Sequence, residues 1–265
     1  MPNTQLNDIE VYYEIGGNGP QVLFISGSGS DLRNRPNQFD SPLAKNYELV
    51  CYDQRGLGQT TNPDGQFTMA EYADDAAALL DHLQIDQIPV MGVSFGGMVG
   101  QEFAIRHPDR VSALVLACTS SGGEGGSSYP LHEIEDLPAE ERAATHLKVA
   151  DIRHTDEWIA ANPEAWQKRL GMSMAGRRED RDQSGAAKQL QARRFHDVYD
   201  RLNSIRVPTL LAGGEYDGVA PPDNMRAIQN QIAGAEMQLF NGGHMFLVQD
   251  KTAYPFIIEW LQRQM

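Results

Sequence analysis

The stretch GVSFGG at residues 92–97 decides the fold, because it joins two different sequence patterns. The run before it, IPVMGV, is apolar and of strand length, and the run after it, FGGMVGQEFAIRH, has helical periodicity. Small residues at 92 and 96 let the chain reverse sharply between the two. A serine at such a junction projects its hydroxyl above the carboxyl edge of a sheet. The stretch predicts that Ser94 is a presented nucleophile; the alternative is a tight turn that happens to contain a serine.

Strand-like and helical patterns alternate on both sides of this stretch. Continuous apolar runs bounded by glycines are typical of parallel strands that are buried on both faces. We expect an α/β fold, with a mostly parallel central sheet and helices on both faces. Strand-like runs occupy residues 8–15, 21–26, 47–53, 88–93, 111–118, 207–214 and 236–241, and helical patterns occupy 68–83, 95–107, 221–232 and 252–264.

The alternation stops at residue 119 and returns near residue 204. The run TSSGGEGGSSYP is rich in glycine and serine, and the polar segment after it has helical periodicity without a strand-like run. We therefore predict one core domain, 1–119 and 204–265, with a helical insertion at 120–203. Trp158 and Met172 of the insertion could line a pocket or pack its helices together.

The composition excludes several classes of function. A net charge of −14 argues against a protein that binds nucleic acid or anionic membranes. No apolar run reaches the ~20 residues of a membrane span, and the first residues lack the pattern of a secretory signal. Cys51 and Cys118 fall in strand-like runs and are expected to be buried and reduced. The sequence predicts a cytoplasmic protein and carries no signal for an oligomeric state.

A serine nucleophile needs a base and an acid that orients the base, and both are expected on loops after later strands. Asp217 follows the strand TLLAGG, and His244 follows the strand EMQLF, which gives the order Ser, Asp, His. Glu215 is the rival acid, but it lies nearer the end of the strand. Among the other histidines, His82 and His107 lie near the ends of helices. The remaining ones, in the insertion, are expected at the surface: His132, His146, His154 and His196.

Catalysis of acyl transfer also needs donors for the negative charge that develops on the carbonyl oxygen. The backbone N–H of Phe95 is one candidate, because this residue follows the nucleophile. The second is expected in the loop SGSGS, residues 26–30, where we favour the N–H of Ser28 over that of Gly29. A merely flexible turn is the alternative. The loop lacks a G-x-G-x-x-G or Walker pattern, and no metal-ligand spacing occurs, so we expect no cofactor and no metal.

These motifs together resemble the α/β-hydrolase family over nearly the whole chain. In chain order, the matching segments are SGSGSD, YDQRGLG, GVSFGG, EFAIRHPDRVSALVLA, GGEYDGVAPP and GGHMF. The resemblance implies that the insertion is a helical cap over the active site, and that Asp53, Arg55, Gly56 and Gly58 form a structural turn. The loop SGSGSDL is similar to that of 3-oxoadipate enol-lactonases, with Ser26 where many family members have histidine.

The sequence thus predicts a serine hydrolase that cleaves a small-molecule carboxylic ester or lactone through an acyl-enzyme on Ser94. Its partners would be that substrate and water, with no nucleic acid and no membrane. Three alternatives remain on the same fold: a hydrolase of carbon–carbon bonds, a cofactor-free perhydrolase, and a small-molecule receptor with a slow triad.

Overall fold

A twisted sheet of eight strands forms the centre of the molecule in the computed structural model, which describes residues 3–33, 35–175 and 182–265. The strands lie in the order β1-β2-β4-β3-β5-β6-β7-β8. Their bounds are β1 Asn3–Leu6, β2 Ile9–Gly17, β3 Gln21–Ile25, β4 Glu48–Tyr52, β5 Ile88–Val93, β6 Val111–Ala117, β7 Thr209–Gly214 and β8 Glu236–Phe240.

The pairing of the strands confirms the predicted mostly parallel sheet. From β4 to β8 every neighbouring pair is parallel, while β1 and β2 pair in antiparallel fashion at one edge. Strand β1 is not predicted from the sequence, because it is short and polar and lies at the edge, with three of its four residues exposed or half-buried. Edge strands need no continuous apolar run, so periodicity does not reveal them.

Helices cover both faces of the sheet. Two apolar layers result, one that includes side chains of α1, α2 and α7 and one that includes side chains of α9. The side chain of Thr68 caps α1, with a reciprocal bond from its backbone N–H to the Glu71 carboxylate. The helices are α1 Met69–His82, α2 Phe95–Arg106, α3 Ala139–Ala150, α4 Asp156–Ala161, α5 Pro163–Ala175, α6 Gln183–Arg194, α7 Pro222–Gln231, α8 Phe246–Gln249 and α9 Ala253–Gln262. No helix in the described ranges is both long and apolar enough to cross a membrane.

The segment between β6 and β7 carries α3 to α6, and residues 176–181 of the predicted insertion lie outside the described residues. Helix α6 rests directly on the core. A Cβ atom at Gly185 would lie only 1.7 Å from the carbonyl oxygen of Gly56, in the turn after β4. The backbone of α6 therefore contacts the backbone of that turn. Lys188 of α6 donates to the side-chain oxygen of Asn62 over 2.9 Å.

The turn after β4 is held by a buried ion pair. The guanidinium of Arg55 donates two hydrogen bonds, of 2.7 and 2.8 Å, to the Asp75 carboxylate on α1. Gly56 and Gly58 have φ angles of 76° and 60°, which glycine adopts without strain. The ion pair joins this turn to α1, as expected for a structural role.

Candidate active site

Ser94 stands at the sharp junction between β5 and α2. Its φ of 55° and ψ of −114° are strained for a residue with a side chain, and such strain often marks a functional position. The reversal requires glycine on either side. A Cβ at Gly92 would lie 2.2 Å from the Gly96 carbonyl oxygen, and one at Gly96 would lie 2.0 Å from that of Ile25. Glycine at both positions therefore permits the sharp turn in which Ser94 stands.

A line of hydrogen bonds joins Ser94, His244 and Asp217. His244 Nε2 lies 2.9 Å from Ser94 Oγ, and its Nδ1 lies 2.8 Å from Asp217 Oδ2. The other carboxylate oxygen of Asp217 accepts the N–H groups of Val219 and Ala220, at 2.8 and 2.9 Å. The carboxylate is thus fixed toward the imidazole, which it keeps in the tautomer that accepts a proton from Ser94. The structure brings the three predicted side chains together.

The rival acid and histidines lie elsewhere. Glu215 is exposed, whereas Asp217 is buried. His82 contacts Thr4, and His107 lies 2.8 Å from Asp74. Two histidines of the segment between β6 and β7 contradict the surface expectation, because tertiary packing buries both: His154 and His196.

The insertion also holds the loops that carry the triad. Ala150, at the end of α3, accepts the backbone N–H of His244 over 2.6 Å, and its neighbour Val149 accepts that of Gly218 over 3.0 Å. Gly243 permits this approach, because a Cβ there would lie 2.1 Å from the Ala150 oxygen. The position of the imidazole therefore depends on the end of α3 as well as on the sheet.

The loop after β3 passes beside the nucleophile. A Cβ at Gly27 would lie 3.6 Å from that of Ser94. The N–H of Gly29 donates to Gln189 Oε1 of α6 over 2.7 Å and is therefore occupied. Among the described residues, no hydrogen bond engages the N–H of Ser28 or of Phe95. With the N–H of Gly29 occupied, those of Ser28 and Phe95 stay the predicted oxyanion donors.

The serine and histidine open onto a cavity of about 360 Å³. Core loops, the insertion and the segment after His244 all contribute to its wall. Most of these residues could not be predicted from the sequence, because which side of a helix faces the cavity depends on tertiary packing. Neither Trp158 nor Met172 is among the lining residues, which are Phe24, Gly27, Ser28, Ser30, Pro36, Asn37, Gln38, Val93, Ser94, Cys118, Leu131, His146, Arg193, His244, Met245, Leu247, Val248 and Tyr254.

Cys118 lies at the base of this cavity and has a free, buried thiol. It is part of the one cluster in the described ranges whose atoms are close enough to hold a metal, within 4.8 Å of atoms of Asp217 and His244. Burial raises the pKa of the thiol well above its usual range, which opposes the thiolate that a metal needs. Because Asp217 and His244 already bond to each other, the cluster suits proton transfer better than metal binding.

Comparison with known proteins agrees with this architecture. The profile of the alpha/beta hydrolase fold matches residues 20–251. A 3-oxoadipate enol-lactonase of Acinetobacter baylyi is 26% identical over 260 residues, covering 97% of this chain and 94% of that protein. A proline iminopeptidase of Lactobacillus helveticus is 28% identical over 280 residues, covering 96% and 95%. The crystal structure of an enol-lactonase from Burkholderia xenovorans superposes with a TM-score of 0.76 at 23% identity, covering 99% of both chains, which shows a common fold. The chain belongs to the α/β-hydrolase fold family.

Proposed function

We propose that this protein is a serine hydrolase that cleaves a small-molecule carboxylic ester or lactone through an acyl-enzyme on Ser94. The observation that carries the proposal is the hydrogen-bonded line from Ser94 through His244 to Asp217, which begins at a strained junction and opens onto a cavity. A nucleophile, its base and an orienting acid in contact are the recurring arrangement for acyl transfer.

The first half of the reaction forms the acyl-enzyme. Ser94 Oγ attacks the carbonyl carbon while its proton passes to His244 Nε2, and the Asp217 carboxylate stabilises the resulting imidazolium. The N–H groups of Phe95 and Ser28 donate to the oxyanion of the tetrahedral intermediate. When the intermediate collapses, His244 returns the proton to the departing alkoxide, and the alcohol leaves. With a lactone, the alcohol stays attached to the acyl group.

The second half repeats this chemistry with water as the nucleophile. His244 takes a proton from water, and the resulting hydroxide attacks the acyl carbon. Ser94 then leaves with the proton that His244 returns, and the carboxylic acid is released. The same two oxyanion donors act in both halves, so no cofactor is needed for either one.

An ester or lactone substrate is favoured over a peptide with a free amino terminus. The similarity to an enol-lactonase supports an ester or lactone substrate. The similarity to a proline iminopeptidase makes a peptide substrate the alternative. A cationic amine would need an acidic partner, and the described lining of the cavity includes no aspartate or glutamate. It includes the guanidinium of Arg193 instead, which would repel an amine.

Labelling and kinetics of one variant test this proposal. A fluorophosphonate should modify the wild-type protein at Ser94, as peptide mass spectrometry would show, and it should leave Ser94→Ala unmodified. Turnover of 4-nitrophenyl acetate should fall by about 10⁴-fold or more in Ser94→Ala. Ser204→Ala is the control, because this exposed serine lies outside the site and bonds to the Arg201 carbonyl. Wild-type activity in Ser94→Ala would refute the proposal.

A substrate panel then separates the reaction classes. Short esters, enol-lactones and vinylogous diketones should be assayed side by side, with the first two classes expected to turn over. Exclusive cleavage of the diketones would indicate a carbon–carbon bond hydrolase. A single acylation without further turnover on every substrate would indicate a receptor with a slow triad.

A further inference from the structure

Arg193 places an arginine side chain inside the cavity. It comes from the last turn of α6, and it lines the same cavity as Ser94 and His244. The residue is only 6% exposed. Its Nη1 lies 3.4 Å from the hydroxyl oxygen of Ser28, on the loop beside the nucleophile. The guanidinium therefore lies next to the place where the scissile carbonyl would bind.

No acidic group in the described part of the chain forms an ion pair with Arg193. Arg55 offers a direct comparison, since it is buried to a similar degree and pairs with Asp75 at 2.7 Å. A buried charge without a partner is costly, and proteins usually pair it or place it where function requires it. The long contact with Ser28 is a weak substitute for a carboxylate.

The surroundings of Arg193 leave its charge available to a ligand. The carboxylate whose charge acts on Arg193 is that of Asp217, which already accepts hydrogen bonds from His244, Val219 and Ala220. Burial lowers the pKa of Arg193 to about 10, so the group remains a cation at neutral pH. In a chain of net charge −14, the described wall of this cavity thus holds one arginine and no acid.

We propose that Arg193 binds a carboxylate group of the substrate, so that this protein acts on esters or lactones that are themselves anions. The inference rests on the proposed function and names the substrate class of the same site. A guanidinium matches the geometry of a carboxylate and can donate two parallel hydrogen bonds to it. The anion would complete the missing ion pair, and it would position the scissile carbonyl against Ser94 and Ser28.

Matched pairs of substrates test this assignment. The 4-nitrophenyl monoester of glutaric acid and 4-nitrophenyl pentanoate differ by a carboxylate in place of a methyl group. The lactones 5-oxotetrahydrofuran-2-carboxylate and γ-valerolactone differ in the same way. In at least one pair, kcat/KM of the wild type should favour the anion. Arg193→Gln should reduce kcat/KM for that anion by about 10- to 100-fold more than it reduces kcat/KM for the neutral partner.

Two further variants separate binding of the substrate carboxylate by Arg193 from a general effect of changing α6. Arg194→Gln removes the same charge from the next position, whose side chain is exposed and lies outside the described lining, so the preference should persist. Arg193→Lys keeps the charge without the paired donors and should fall between the wild type and Arg193→Gln. Equal losses on the anionic and neutral substrates, or no preference in either pair, would overturn the assignment.

Calorimetry tests the carboxylate site at Arg193 separately from the proposed hydrolase function. Glutarate should bind Ser94→Ala, which cannot turn over, and the double variant Ser94→Ala/Arg193→Gln should bind it at least about tenfold more weakly. If the wild type hydrolyses no ester or lactone but glutarate still binds through Arg193, the hydrolase proposal fails and the anion site stands. If glutarate binds both variants equally, or binds neither, the anion site fails.

Discussion

Gln189 Oε1 accepts the backbone N–H of Gly29 over 2.7 Å, which ties helix α6 to the loop beside Ser94. Gln189 is almost completely buried, and it approaches the loop from the side of the insertion. This bond occupies one of the two N–H groups that could have faced the oxyanion, and it holds the loop in the orientation that leaves the N–H of Ser28 open.

Loss of this bond should slow catalysis more than it weakens substrate binding. In Gln189→Met the N–H of the half-buried Gly29 loses its acceptor, and the loop beside Ser94 loses its tie to α6. We expect kcat on a neutral aryl ester to fall by about tenfold, less than the 10²–10³-fold that follows removal of an oxyanion donor itself. Steady-state kinetics would check this. Gln191→Met, a half-buried glutamine on the same helix, is the control; an equal effect there would contradict the specific role of Gln189.

Replacement of the orienting acid should leave the fold nearly intact and remove most activity. In Asp217→Asn the side chain cannot accept the Nδ1 proton of His244 as a carboxylate does. We expect kcat to fall by about 10³- to 10⁴-fold. Glu215→Gln, two residues earlier and exposed, should retain wild-type kcat. The reverse result in the two variants would show that the wrong acid has been assigned.

Steric contact at the nucleophile junction should make Gly96 intolerant of even a methyl group. The added Cβ of Gly96→Ala would meet the carbonyl oxygens of Ile25 and Ser26 at 2.0 and 2.7 Å. We expect a loss of about 3 kcal/mol in the free energy of unfolding, which corresponds to a melting temperature about 10 °C lower. Gly171→Ala, where a Cβ meets no atom within 4 Å, should be neutral or stabilising by up to about 1 kcal/mol. Thermal unfolding of both variants measures the contrast.

Two buried groups give the stability opposite dependences on pH. Burial, together with the positive charges of Arg201 and Arg193, lowers the pKa of His196 to about 3. Between that value and the ordinary value of 6.5, the unfolded chain binds the proton, so His196 destabilises the fold as the pH falls. Burial raises the pKa of Asp53 from 3.8 to about 6. Between pH 3.8 and about 6, the folded chain therefore binds a proton that the unfolded chain has lost. As the pH rises through this range, Asp53 makes the fold less stable.

These opposite slopes, each up to about 1.4 kcal/mol per pH unit, largely cancel in the wild type between about pH 4 and pH 6. His196→Phe removes one of them. Urea unfolding from pH 7.5 to pH 4.5 should therefore show the stability of the wild type falling relative to that of His196→Phe as the pH decreases. A difference that stays constant over this range would mean that His196 is protonated in the folded protein.

The core of the fold could be read from the sequence, because its strands are continuous apolar runs between glycines. Strand β1 could not, since a short edge strand is half-exposed and carries no such run. The side chains of Ser94, Asp217 and His244 could be singled out for a related reason. Each follows a strand of the parallel part of the sheet, and parallel strands deliver their carboxyl ends to one edge of the sheet.

The wall of the cavity could not be read in the same way. Arg193 and Arg194 are adjacent and chemically identical, and only the placement of α6 on the core turns one inward and leaves the other in water. Similarly, Trp158 and Met172 were plausible lining residues by chemistry but face elsewhere. Helical periodicity identifies a face of apolar residues. It does not identify buried polar residues such as Gln189 and Arg193 of α6.

The backbone contact between Gly185 and Gly56 has a consequence for attempts to change the substrate. Because α6 is seated on the core by that contact, and supplies both Gln189 and Arg193, the insertion is not an interchangeable module. Replacing the whole segment between β6 and β7 with that of another hydrolase would also remove the tie between α6 and the loop beside Ser94. A successful chimera would have to retain α6 with its glycine and glutamine, and vary only Arg193 and the helices around it.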